Sequence, residues 1–211
     1  MKETEFVYRS YDFEVRAEEG EAETVITGRP VVYNSRADLG DFFEVIEAGA
    51  LDKTDLTDVR FLVNHDTKMI PLARSRRNNG NSTMYLTVDA LGLNLDWAKI
   101  DTRNSTAGRE LVSAVRRGVI TGMSFMFGIG GERWENLESG KPTRYITEIT
   151  RIVEISACTF PAYDQTEINA RNKAALDSAR KALENARNRD KKTLDSGIEI
   201  YKEKIKILGG M

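Results

Sequence analysis

The chain has 211 residues, 40% of them hydrophobic, and a formal net charge of −2. This length allows one core of ordinary size with an appended element, which predicts one main domain. A single cysteine excludes an internal disulfide, and with a single histidine a Cys/His zinc site is excluded as well. No apolar run approaches the length that spans a bilayer, and the N-terminal MKETEFVYRS lacks the pattern of a leader, so we expect a soluble, intracellular protein.

Charge divides the chain into two parts. Residues 167–211 carry 11 Lys and Arg against 7 Asp and Glu, a net charge of +4, which leaves −6 for the remainder. The acidic part has no basic stripe interleaved with aromatic residues, so we expect neither nucleic-acid nor membrane partners. We predict a main domain over residues 1–166 and a charged helical tail over 167–211 that Gly197 interrupts. Apolar residues recur in this tail at heptad-like spacing, at Leu176, Ala179, Leu183 and Ala186.

Segments rich in β-branched and aromatic residues dominate the first half of the chain. FVYRSYDFEVR and TVITGRPVVY, separated by the polar AEEGEAE, predict a hairpin. EAGALDKTDL predicts a short helix, and VRFLVNHD predicts a strand that ends at His65. TMYLTVD and GLNLDWAKI predict further strands with turn sequences between them.

The second half adds one helix and the last strands. AGRELVSAVRR, at about 107–117, predicts an amphipathic helix with Gly118 at its C-terminal end. VITGMSFMFGI predicts a strand in which Ser124 points away from the more apolar face of Met123 and Phe125. After a predicted loop, GGERWENLESGKPT, the strands RYITEI and RIVEISACTF follow. The order of elements predicts a mostly β fold of the α+β class.

The residues capable of catalysis centre on the only histidine. A serine hydroxyl needs a base within hydrogen-bond reach to act as a nucleophile, and here only His65 can serve Ser124. Glu154 is predicted on a strand face with Ile152, Ser156 and Cys158, between apolar neighbours. A carboxylate buried there needs a hydrogen-bonding or charged partner, and His65 is a candidate. His65 and Ser124 also fit as packing residues, the commoner role of a lone histidine, and Glu154 fits as an edge-strand residue facing water.

A Cys158–His65 dyad is the competing enzymatic hypothesis. The residues around Cys158 are small or apolar, which raises the pKa of a thiol and favours an inert core cysteine. The glycines form no strand-to-helix nucleotide motif. We therefore expect no cofactor and no metal.

Six stretches together resemble, in order, the sequence blocks of the HK97-type phage prohead maturation proteases. The resemblance covers roughly residues 25 to 170, and its most specific parts are NHD, G-x-S-F-x-F and E-I-S-x-C-T-F-P-A-Y in that order. The stretches are GRPVVYNS, FFEVIEAGAL, VRFLVNHDTKMIPLARS, LTVDALGLNLDWAKI, GRELVSAVRRGVITGMSFMF and RIVEISACTFPAYDQTEI.

This resemblance implies a serine endopeptidase that cleaves scaffold or capsid segments and itself inside the assembling prohead, in the host cytoplasm. It implies a closed, mostly antiparallel β-barrel with surrounding helices, similar to the herpesvirus assemblins, and a homo-oligomer. His65 matches the family's general base and Ser124 its nucleophile. Assemblins use a second histidine as the third member, which this chain lacks, so a carboxylate must substitute.

Glu154 is the carboxylate that we expect in that third position, with Asp66, Asp89 and Asp96 as alternatives. On this hypothesis the helical tail docks on scaffold helices, and a dimerisation helix is the alternative. Two other functions fit the same residues: a non-enzymatic capsid-assembly or scaffold protein with an inactive barrel, and a hydrolase of small esters.

Overall fold

The computed structural model describes residues 6–11, 16–18, 23–159 and 170–208. The strands in chain order are β1 (Phe6–Tyr11), β2 (Arg16–Glu18), β3 (Glu23–Val32), β4 (Arg36–Asp38), β5 (Phe43–Ile46), β6 (Arg60–Val63), β7 (Ala73–Arg74), β8 (Met84–Asp89), β9 (Gly92–Asp101), β10 (Gly122–Glu135) and β11 (Thr143–Cys158). The helices are α1 (Thr106–Arg116) and α2 (Ala170–Leu208).

The strands form two sheets, which confirms the predicted mostly β fold. One has seven strands, with β1-β10-β11-β5-β4 as its main path and with β6 pairing with both β11 and β7. The other has four strands in the order β2-β3-β9-β8. The predicted closed antiparallel barrel is not confirmed, because within the described ranges neither sheet closes on itself and β11 runs parallel to both β5 and β6.

One hydrophobic core lies between the sheets and α1. The predicted helix near 107–117 is confirmed, and its apolar stripe of Leu111, Val112 and Val115 is buried. The Ser105 hydroxyl caps the first turn by accepting a hydrogen bond from the Gly108 amide. Other core side chains come from strands of both sheets, among them Ile26, Phe61, Met84, Leu93, Leu95, Ile100, Met123, Phe125, Phe127, Ile152 and Ile155.

Two predictions about local structure near the N-terminus are wrong. The predicted hairpin is wrong, because β1 pairs antiparallel with β10, and the strand that pairs with β3 is β2, which begins only at the last residue of the predicted first strand. Alternation in a strand shows which side chains share a face but not which neighbour the strand pairs with. EAGALDKTDL forms successive turns instead of a helix, and Gly49 has a φ of 88°, which an α-helix cannot contain.

At three places a strand or helix is continuous in the structure where the sequence predicted a break. β10 runs on to Glu135 through part of the predicted loop, and β11 is a single strand where two were predicted. α2 continues through Gly197. A glycine in a helix costs only about 1 kcal/mol, which does not end a long helix with helix-forming neighbours.

The part of α2 between residues 179 and 187 packs on the sheet region. Ala179 and Leu183 are buried, and Arg180 pairs with Asp41. The Arg187 guanidinium donates to the carbonyl oxygens of Leu137 and Ser139. The predicted domain boundary near residue 166 lies outside the described residues.

No helix in the described part of the chain is both long and apolar enough to cross a membrane.

Candidate active site

Ser124 lies on β10, which has a partner strand on each side. In register, Ser124 is opposite Ser10 of β1 and opposite Ser156 of β11. Its neighbours Met123 and Phe125 point into the core, as the alternation of a strand requires. Ser124 itself is also fully buried, at 0% relative exposure, and β10 is paired at this position with β1 on one side and β11 on the other.

His65 lies in the turn after β6. β6 pairs in parallel with β11, the strand that carries Glu154, and this pairing brings the turn to the end of β11. Asn64 and His65 have φ values of 49° and 57°, a left-handed conformation that asparagine and histidine adopt more readily than most residues. The Asn64 side chain exchanges two hydrogen bonds with Thr159, at 2.9 and 3.0 Å, which fix the turn to the chain after β11.

The three predicted residues meet through their side chains. His65 Nε2 lies 2.6 Å from Ser124 Oγ, and His65 Nδ1 lies 2.5 Å from Glu154 Oε1. The His65 side chain is 16% exposed, whereas the Glu154 side chain is almost fully buried. This is the connectivity of a hydroxyl, an imidazole base and an orienting carboxylate.

The Ser124 hydroxyl has a second partner in β1. Ser124 Oγ lies 2.7 Å from the carbonyl oxygen of Arg9 and donates to it. One hydroxyl hydrogen cannot serve both neighbours, so a Ser124 hydroxyl that donates to the Arg9 carbonyl does not at the same time donate to His65 Nε2. Transfer of that hydrogen to Nε2 therefore requires that the hydroxyl first turn from the Arg9 carbonyl to the imidazole.

A buried ion pair anchors Arg9. Its guanidinium donates to both carboxylate oxygens of Glu44, one of them at 2.7 Å, and Arg144 also donates to Glu44, at 3.3 Å. Burial raises the pKa of Glu44, but the charges and hydrogen bonds of Arg9 and Arg144 outweigh burial and hold the pKa below its ordinary value. Glu44 is therefore a charged carboxylate in the interior of the seven-stranded sheet.

The alternative carboxylates have other partners. Asp89 pairs with Arg29, and Asp96 accepts from the Thr87 hydroxyl. Asp66, next to the histidine, accepts from the Lys68 amide in its own turn. Of the four carboxylates considered from the sequence, Glu154 is the one that the described contacts bring to the His65 ring.

Cys158 is the second nucleophile candidate near the histidine. Its Sγ lies 3.9 Å from His65 Nε2, against 2.6 Å for Ser124 Oγ, and the residue is buried. The shorter contact favours the hydroxyl as the group that exchanges a proton with the imidazole.

Within residues 6–11, 16–18, 23–159 and 170–208, no group of three or more His, Cys, Asp or Glu side chains could hold a metal ion.

The structure adds three residues to the site that the sequence did not single out. Ser156 contacts both His65 and Glu154, and its spacing of two from Glu154 on a strand is a signal that could have identified it. Asn64 is recognisable as a residue that tolerates a left-handed turn. The sequence holds no comparable signal for Arg9, whose carbonyl reaches Ser124 only because β1 pairs with β10.

A sequence model of the family described as "Caudovirus prohead serine protease" matches residues 11–181. A search of the curated proteins finds no match. Among solved structures, the chain resembles the capsid assembly protease gp21 of bacteriophage T4, with 12% identity, 76% of this chain and 100% of that chain covered, and a TM-score of 0.47. Because the family match spans most of the sequence, the chain belongs to the caudovirus prohead serine proteases.

Proposed function

We propose that the chain is a serine endopeptidase that matures proheads by cleaving scaffold or capsid segments and itself. In this proposal Ser124 is the nucleophile, His65 is the general base and Glu154 orients the imidazole. The observation that carries it is the continuous contact from Ser124 Oγ through the His65 ring to Glu154 Oε1, at 2.6 and 2.5 Å. Membership of a family of prohead serine proteases supports the same reaction class.

The proton transfers follow from this connectivity. His65 Nε2 takes the hydroxyl proton as Ser124 Oγ attacks the scissile carbonyl, and the imidazolium then gives that proton to the leaving amine. Water hydrolyses the acyl-enzyme in a second passage through the same groups, which restores the Ser124 hydroxyl. Glu154, accepting from Nδ1–H, holds the ring in the tautomer that leaves Nε2 free to accept.

In this mechanism the Ser124 hydroxyl gives up its hydrogen bond to the Arg9 carbonyl when its hydrogen passes to His65 Nε2. Ser124 is fully buried, and its hydroxyl is hydrogen-bonded to the backbone carbonyl of Arg9 in β1. A substrate reaches Ser124 only after β1 has moved away from this part of β10. The fraction of molecules in which β1 is displaced then limits the observed rate.

Covalent labelling tests this proposal. A fluorophosphonate probe, incubated with the full chain and located by peptide mapping, is expected to modify Ser124. The Ser124→Ala chain should take up no probe, and a Ser113→Ala chain, which loses an exposed hydroxyl on α1, should react like the wild type. Modification at another serine, or equal uptake by the Ser124→Ala chain, would show that Ser124 is not the nucleophile.

The second candidate function is a capsid-assembly or scaffold protein with an inactive site. The full burial of Ser124 favours this alternative, because an unreactive serine needs no access. The labelling experiment separates the two functions when it is repeated on a chain in which β1 is weakened by Arg9→Ala. An inactive site predicts no modification of Ser124 in either chain.

We also propose that the tail recruits the protease to its scaffold partner. Beyond Leu183 the described side chains of α2 are mostly exposed, and Leu194 and Ile198 are among them. A chain that ends at residue 187 keeps the contacts of Arg180 and Arg187. Loss of capsid incorporation on this truncation supports the proposal, and unchanged incorporation contradicts it.

A further inference from the structure

Ser156 is a fully buried hydroxyl beside the proposed catalytic residues. It lies on β11, two residues after Glu154 and directly opposite Ser124 in register. Its Oγ donates to Glu154 Oε2 at 2.6 Å and accepts from the His65 backbone amide at 3.2 Å. One oxygen atom thus joins the main chain of the histidine to the carboxylate that contacts its ring.

The bond to Glu154 restricts the carboxylate. Oε1 contacts His65 Nδ1 at 2.5 Å while Oε2 accepts the Ser156 hydroxyl hydrogen. With both oxygens engaged, the carboxylate cannot rotate about its terminal torsion, a soft one in an unrestrained glutamate, without breaking one of the two bonds.

The bond to His65 restricts the turn. Asn64 and His65 are consecutive, neither is glycine, and both hold left-handed φ values, a conformation that persists only where the surroundings impose it. The His65 amide is held by Ser156, and the Asn64 side chain is held by Thr159. Ser156 is therefore the contact that ties this turn to Glu154 itself.

We propose that Ser156 is a positioning residue of the site, which sets the His65 ring and the Glu154 carboxylate at the distance and angle that aim Nε2 at Ser124. This inference rests on the proposed function for its catalytic meaning. The positioning itself can be measured without turnover, because the chain has only one histidine and its imidazole signals need no assignment.

The first test uses nuclear magnetic resonance of full chains labelled with ¹⁵N-histidine. Ser124→Ala serves as the background, so that self-cleavage does not interfere. The His65 Nδ1 proton, bound to a carboxylate, is expected as a far-downfield signal in this background. It should be lost or shifted upfield when Ser156→Ala is added. The matched control is Ser75→Ala, which deletes another almost fully buried serine hydroxyl and should leave the signal unchanged.

The second test measures reaction with the fluorophosphonate probe in chains that retain Ser124. Ser156→Ala is expected to slow modification of Ser124 roughly 10- to 100-fold, because small misplacement of a base costs about that much. On a Glu154→Gln background the same change should cost less than about threefold, since both substitutions disrupt one unit. If the alanine variant does not fold, Ser156→Cys takes its place. Cysteine is close to serine in volume but is a weaker donor, so we expect it to slow modification of Ser124 by less than the factor predicted for alanine.

Three outcomes overturn the inference. An unchanged Nδ1 proton signal in Ser156→Ala shows that the hydroxyl does not position the pair. Equal probe rates in wild type and Ser156→Ala, or additive losses on the Glu154→Gln background, show that Ser156 has only a structural role. If no chain reacts with the probe, the proposed function fails, and the signal of the single histidine decides the positioning role separately.

Discussion

The carbonyl oxygen of Arg9 accepts a hydrogen bond from the Ser124 hydroxyl at 2.7 Å. The same residue anchors β1 through the buried carboxylate of Glu44. The strand that lies beside the proposed nucleophile is thus held by both its backbone and a side chain. The described conformation therefore holds Ser124 buried beside a strand that Arg9 anchors, and Arg9 is the residue at which the proposed covering by β1 can be tested.

Replacing Arg9 with alanine is expected to uncover Ser124. The substitution removes the ion pair to Glu44, while Arg144 still contacts that carboxylate. Weaker docking of β1 raises the fraction of molecules with an accessible serine, and we expect Ser124 to react with the fluorophosphonate about tenfold faster. Arg29→Ala, which breaks the exposed pair with Asp89, is the matched control. A rate for Arg9→Ala no higher than that of the control would contradict the covering role of β1.

Replacing Glu154 with glutamine should lower activity while leaving the chain folded. The amide cannot accept from His65 Nδ1 as a charged carboxylate does, so the imidazole loses its orientation and its support as an imidazolium. We expect a loss of roughly 10²- to 10⁴-fold in the rate at Ser124. Glu148→Gln changes an exposed residue of the same strand and should react like wild type. A Glu154→Gln chain that keeps the wild-type rate would rule out this carboxylate as the third member.

Replacing Cys158 with alanine separates the two possible nucleophiles. The thiol is buried and 3.9 Å from His65 Nε2, farther than the Ser124 hydroxyl. We expect Cys158→Ala to keep its activity within about threefold and to lose roughly 1 kcal/mol of unfolding free energy through the small cavity. Activity is read from probe uptake, and stability from urea unfolding. Complete loss of activity in this folded variant would favour the cysteine dyad.

The buried carboxylate of Glu44 predicts how stability depends on pH. Its pKa in the folded chain lies below the ordinary value of 4.5, because the charges and hydrogen bonds of Arg9 and Arg144 outweigh burial. A carboxylate with a depressed pKa stabilises the fold fully at pH values above its ordinary pKa. That stabilisation is lost as the pH falls through the lower pKa that the group has in the folded chain. Glutamine at this position has no such titration.

Urea unfolding at about pH 6 and about pH 3 measures this contribution. The free energy of unfolding should fall more between the two conditions for wild type than for Glu44→Gln. The stability gap between the two chains therefore narrows in acid. An equal decline in both chains would show that Glu44 does not contribute to the acid sensitivity.

The sequence predicts the chemistry of the site better than it predicts the arrangement of the strands. His65, Ser124 and Glu154 could be named because a lone histidine limits the possible bases and because the ordered blocks resemble the prohead proteases; the structure brings their side chains into contact, and their catalytic roles stay predictions. The turn that aims His65 is not predictable this way, since it depends on left-handed φ values at two positions and on contacts with Thr159 and Ser156.

The position of β1 is the clearest case in which local pattern is insufficient. FVYRSY reads as a strand that pairs with the next strand in sequence, yet it pairs with β10, more than a hundred residues away. This pairing brings Arg9 to Glu44 and to Ser124. No periodicity within the segment encodes either contact, so the placement of β1 beside Ser124 emerges only from the fold.

Intact mass spectrometry of purified chains over time tests most directly whether Ser124 is a peptidase nucleophile. We expect fragments to accumulate in the wild-type chain, faster in Arg9→Ala, and in neither chain once Ser124→Ala is added. The fragment masses would give the cleavage sites. Trimming that persists in the Ser124→Ala chains, or masses that stay constant in every chain including Arg9→Ala, would contradict the proposed self-cleaving protease.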